Sequence, residues 1–225
     1  MTFSLRSKIL AMFGLLMAMS VSNFFILLDA EENAETHQFW VLHTYQVLNE
    51  TKSFLGYMRD AETGQRGYLL VGEEDYLEPY NVGVERAKST LDLLRELTSD
   101  NPIQQVRLDT ALGLMAKKFA ELGTTIRLQR QGDGVEALAA VRGDEGKQIM
   151  DDLRALLSEF TSEEERLLVM RHAQFAESQA FMKKMLYLEG LGMVFLIAGA
   201  AFVLQYTMVR PISRLITSAR RIAEG

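Results

Sequence analysis

Cysteine is absent from this chain, and its 225 residues hold only three prolines and one tryptophan. The first absence excludes a disulfide scaffold and any cysteine-based zinc or redox centre. Scarce proline in a chain rich in Leu, Ala and Glu points to helices, because little interrupts the backbone hydrogen-bond ladder. Runs that alternate β-branched and polar residues are also missing, so nothing suggests a sheet. His37, His43 and His172 are the only histidines. The first two are six apart, not the four that sets two metal ligands on one helix face, so each reads as a surface or interhelical residue and no metal is expected. Gly64-Gln65-Arg66-Gly67 lacks the Lys-Ser/Thr ending of a phosphate-cradling loop, and no nucleophile-elbow sequence occurs. Neither a cofactor nor catalysis by this chain is expected.

What is present is unevenly distributed. Between Asp29 and Met185 there are 18 Lys/Arg against 28 Asp/Glu, while Arg6 and Lys8 precede this stretch and Arg210, Arg214, Arg220 and Arg221 follow it. An acidic centre with basic ends argues against a nucleic-acid partner and for membrane topology. Ile9 to Leu28 and Gly190 to Val209 are each twenty residues without a charge. Twenty helical residues cover roughly 30 Å, the thickness of a hydrocarbon core. A cleaved signal peptide is the alternative for the first run, but its apolar region would be shorter, about 7–15 residues, and end in a small-x-small site. A buried soluble helix is the alternative for the second, against which stand the flanking Tyr187, Tyr206 and Arg210. The positive flanks put both ends in the cytoplasm of a bacterial cell. The expected organisation is a cytoplasmic N-terminus (1–8), a first transmembrane helix (9–28), an outer domain (29–185) in the periplasm or its equivalent, a second transmembrane helix with its outer flank (186–209), and a basic tail (210–225).

Breakers divide the outer segment into four helical stretches. The first continues from the membrane to about Leu70 and ends at Gly72. The next covers roughly Tyr76 to Thr98, with Asp75 as its expected cap and Pro79 near its first turn. After Ser99-Asp100-Asn101-Pro102 a third runs from about Ile103 to Gln131, its buried face marked by Val106, Leu108, Leu112, Met115, Phe119, Leu122 and Ile126. Gly132-Asp133-Gly134 ends it, and a short piece, Val135–Arg142, precedes Gly143. The last helix starts near Asp144 and runs into the second span, with Ile149, Leu153, Leu156, Phe160 and Leu167 in one stripe and Glu163 at an intervening core-type position. These features predict an all-α fold: an elongated up-down-up-down four-helix bundle whose first and last helices continue into the two spans.

The segment DAETGQRGYLLVGEEDYLEPY, from Asp60, resembles the signature of the type-three CHASE sensory domain. DNPIQQVRL from Asp100, GKQIMDDLR from Gly146 and EEERLLVMR from Glu163 extend the resemblance in order over nearly all of the outer segment. It implies an extracytoplasmic four-helix input domain of a histidine kinase, chemoreceptor or diguanylate cyclase, and it brings no ligand with it. The tail VRPISRLITSARRIAEG resembles the start of a HAMP linker, with Pro211 followed by Ile212, Leu215, Ala219 and Ile222 at steps of three, four and three. Such a seam suits a parallel coiled coil and hence a homodimer, with these five residues relaying the signal. A HAMP unit needs a connector and a second helix, so a fragment of a longer receptor, or a gene product lacking its output part, is expected.

Two readings remain for Asp60–Tyr80. Arg59, Arg66, Tyr68, Tyr76 and Tyr80 could bind an anionic small molecule through guanidinium contacts. The favoured reading is packing, with Glu62 and Arg66 paired one turn apart, Gly64 and Gly67 admitting a neighbouring helix, and tyrosines filling the bundle tip. The expected function is an input module that senses a small-molecule or periplasmic-protein stimulus, sits among the lipids of the cytoplasmic membrane, and passes the stimulus inward. The alternative is a non-signalling helical scaffold that assembles with a partner protein.

Overall fold

The structure is a computed structural model that describes residues 5–210, and among these every regular element is helical. The elements are α1 (Leu5–Val71), a 3-10 turn (Glu74–Leu77), α2 (Glu78–Leu97), α3 (Pro102–Arg130), α4 (Gly134–Arg142), α5 (Glu145–Leu204) and a π-helical turn (Gln205–Val209). The basic tail with Pro211, Ile212, Leu215, Ala219 and Ile222 lies outside the described residues. Two compact units share α1 and α5: Gln38–Arg171, and the two chain ends, through His37 and from His172.

Each boundary has a local cause. Gly72 and Gly132 take left-handed φ values of 80° and 90°, which suits the residue after a helix. Asn101 caps α3, its side-chain oxygen accepting from the Ile103 and Gln104 amides at 3.2 and 3.3 Å. Asp75 does not cap α2. It lies inside the 3-10 turn, its carbonyl accepts from the Glu78 amide, and α2 begins at Glu78 with Pro79 in the first turn.

In the unit Gln38–Arg171 the buried positions follow a seven-residue rhythm. On α1 they are Thr44, Val47, Thr51, Phe54, Met58, Ala61, Gln65 and Tyr68, with Gly64 and Leu69 beside the last two. On α3 they are Gln104, Leu108, Ala111, Met115, Lys118, Leu122 and Thr125, with Ile126 beside the last. Steps of three and four keep one seam facing the bundle interior. Of the stripe expected on α3, Leu108, Met115, Leu122 and Ile126 are buried, and Phe119 packs against the core. Val106 and Leu112 are exposed instead, because Gln104, Ala111, Lys118 and Thr125 occupy the seam positions in phase with the buried leucines. A second correction concerns α5: the buried carboxylate after Phe160 is Glu164, one step of four along, whereas Glu163 turns outward to Arg166.

The other unit contains the two uncharged runs. Phe13, Phe24 and Phe25 on α1 and Val194, Phe195 and Phe202 on α5 are all exposed. Both helices are long and apolar enough to cross a membrane. An apolar surface of this extent argues against the buried soluble helix. Between the runs the Asn23 amide donates to Glu189 at 3.4 Å, and Gly192 lets Met19 approach.

Candidate sensory site

The signature segment builds one end of the unit Gln38–Arg171 from a helix–turn–helix return. Gly64 and Gly67 face the chain that comes back through the 3-10 turn. A Cβ on Gly64 would stand 2.6 Å from the Tyr80 backbone nitrogen, and one on Gly67 would meet the Tyr76 ring at 2.9 Å. Only glycine admits so close an approach, as the packing reading expects. Beneath this return Tyr68, Leu69 and Leu77 form a cluster with Ile126 of α3 and Ala137 of α4, and Tyr80 packs against it.

The five residues named for an anionic ligand separate into two groups. Arg59 is exposed, and Arg66 is held at 3.1 Å by Glu62, one turn earlier on α1. Tyr68 is buried, Tyr80 is half-buried, and Tyr76 stands at the surface with its ring against Gly67. The cation that meets the tyrosines comes from α3. Arg130 lies over the Tyr68 ring at 5.9 Å and makes a two-pronged contact with Glu74 at 2.8 and 2.6 Å. That guanidinium holds the Glu74 carboxyl below the usual range, and Glu74 in turn raises Arg130. Burial pushes the Tyr80 phenol up, against the pull of Arg130. An open groove of about 420 Å³ runs along Gly64, Gly67, Tyr76 and Pro79, with Asp75 and Glu78 at its rim.

Below this end, polar side chains lie inside the seam. Lys118 is 1% exposed and donates to Glu62 at 3.0 Å, to Glu121 at 2.9 Å and to the Gly146 carbonyl at 3.2 Å, so it joins α1, α3 and α5. Gln65 donates to Thr125 at 2.7 Å. Gln104 donates to Glu164 and to the Phe160 carbonyl, both at 2.9 Å. Buried polar groups of this kind are satisfied partner by partner, and they fix which helix faces which. Composition gave no sign of them. The usable signal was phase, since Gln104, Lys118 and Thr125 fall seven or fourteen residues apart. Arg130 lay outside the motif, and nothing local marked it.

Similarity to known proteins agrees with this geometry. The solved sensor domain of the Rhodopseudomonas palustris histidine kinase HK9 aligns with a TM-score of 0.53 and 28% identity, over 56% of this chain and 98% of that one. This likeness and the all-helical bundle support a sensory input role. The family is specific: a model of the CHASE3 domain matches residues 37–174, and the chain belongs to the CHASE3 domain family. No curated protein matches the chain.

Proposed function

We propose that the chain is the input half of a two-pass receptor in the bacterial cytoplasmic membrane, with residues 29–185 on the periplasmic side. A small molecule or a periplasmic protein acts on the outer bundle, and the groove along Gly64 and Gly67, edged by Tyr76, is the place for the former. Arg59 and Arg66, exposed on the same helix, offer charge to an anionic stimulus. The chain works as a homodimer, and catalysis belongs to an output domain. Among a histidine kinase, a chemoreceptor and a diguanylate cyclase, the similarity to a histidine-kinase sensor domain favours the kinase and a two-component system.

The observation that carries this reading is the continuity of α5. One helix holds the Gly146 and Phe160 carbonyls and the Glu164 side chain at the buried polar layers, and then provides the second uncharged run as far as Leu204. A shift at the layers is therefore delivered along a stiff element. The π-helical turn Gln205–Val209 widens the helix at the end of the described residues, and Pro211, a residue without an N–H, follows in the sequence. On this reading the displacement passes to the heptad-spaced Ile212, Leu215, Ala219 and Ile222, whose sequence resembles the start of a HAMP linker.

The test uses the full-length receptor and reads its output. Gln104→Ala releases α5 from α3 and changes basal output. Three glycines inserted between Val209 and Arg210 shrink that change by roughly an order of magnitude, the size of a typical coupling. An undiminished change would contradict the relay.

A further inference from the structure

His37 on α1 and His172 on α5 are the residues at which the membrane-side unit ends on each helix. The His37 ring stacks face to face on Phe175, with centroids 3.8 Å apart and planes within 5°. The His172 ring stands edge-on to His37 at 5.1 Å. No third metal-binding side chain joins them among the described residues, so the pair does not make a metal site. It makes a point where two imidazoles face each other across two helices. Glu35 on α1 and Glu177 on α5, the nearest acids along the two helices, are exposed, and the charge that acts on His37 is that of His172. Arg171, the residue before His172, is occupied by the Trp40 ring and the Thr44 hydroxyl.

We propose that His37 and His172 form a proton-operated spacer between α1 and α5: neutral imidazoles pack with Phe175 and hold the helices close, and protonation sets like charges against each other and drives the helices apart. Burial first, and then the His172 charge, lower the His37 proton affinity from its ordinary 6.5. The packed arrangement therefore takes up its proton at lower pH than a separated one. Its stability is full above pH 6.5 and is lost progressively as pH falls below that value. Acidification of the outer medium would reach the relay helix in the stretch ahead of its uncharged run. That consequence rests on the sensory reading, whereas the spacing itself does not.

The absence of native cysteine allows a direct measurement. Spin labels are placed on the full chain at Gln38→Cys and Gln174→Cys, both exposed positions, in lipid nanodiscs with a chelator present. Between pH 8 and pH 5 the label distance lengthens by roughly 1–2 Å, the scale of known helix shifts, with a midpoint below 6.5. His37→Phe keeps an aromatic ring on Phe175, cannot charge, and gives the pH 8 distance at both values. An unchanged distance in the native background, or an equal lengthening in His37→Phe, overturns the spacer. Because spacing and not output is read, either result would leave the sensory reading standing.

Discussion

Lys118 brings a primary ammonium into the bundle, where it meets the Glu62 and Glu121 carboxylates and the Gly146 carbonyl. Such an arrangement adds little net stability over apolar packing, because desolvation offsets the attraction. Its removal is another matter, since Glu121 would stay half-buried without its cation and Glu62 would keep only the exposed Arg66. Lys118→Ala is expected to lower unfolding free energy by about 3–5 kcal/mol, read from urea denaturation of the detergent-solubilised chain. Gly146 is part of the same site. A Cβ there would lie 2.6 Å from the Lys118 ammonium and 2.7 Å from a Glu121 oxygen. Gly146→Ala should cost about 1–3 kcal/mol, the range for overpacking. Lys118→Ala without measurable loss would mean that this ionic contact does not organise the bundle.

At the scale of elements, glycine has opposite effects in two helices. Gly83 on α2 lies against α1, where an added Cβ would stand 2.6 Å from the Tyr57 carbonyl and 2.9 Å from the Ala61 amide. Backbone atoms cannot step aside, so Gly83→Ala separates α2 from α1 and destabilises by at least about 1–3 kcal/mol. Gly113, in the middle of α3, has nothing within 4 Å, and Gly113→Ala should stabilise by about 0.5–1 kcal/mol through helix propensity alone. Thermal unfolding of the two variants checks the contrast, and equal shifts would refute the packing described for α2. The elements themselves were largely legible. Uninterrupted runs gave α1 and α5, Gly72 and Gly132 gave their neighbours' ends, and Asn101-Pro102 gave the start of α3. Apolar residues alone could not give the rotation of α3. Val106 and Leu112 follow helical spacing as well as Leu108 and Met115 do, and the choice was made by Gln104, Lys118 and Thr125, which partners on other helices draw inward. The same limit applies to Glu164, whose burial depends on Gln104, and to the pairing of His37 with His172 across 135 residues.

For the whole molecule, the decisive claim is that one chain places an acidic helical sensor outside the cell and its basic ends within. Charge asymmetry and two uncharged runs are the sequence features that argue for it. The exposed aromatic and aliphatic side chains of those runs fit two membrane-spanning helices, and the CHASE3 match over residues 37–174 fits a sensor between them. The candidate site was legible only in part. Its glycines and tyrosines stood in one motif, but Arg130 and Glu74 meet across 56 residues through folding alone. Topology can be measured without knowing the stimulus. Val135, 88% exposed on α4, is replaced by cysteine in the otherwise cysteine-free chain, and a second variant carries Thr2→Cys. Intact cells with a permeabilised outer envelope are treated with a membrane-impermeant maleimide. The cysteine at 135 should label at once and the one at 2 only after lysis; protection of position 135 in intact cells would contradict the account.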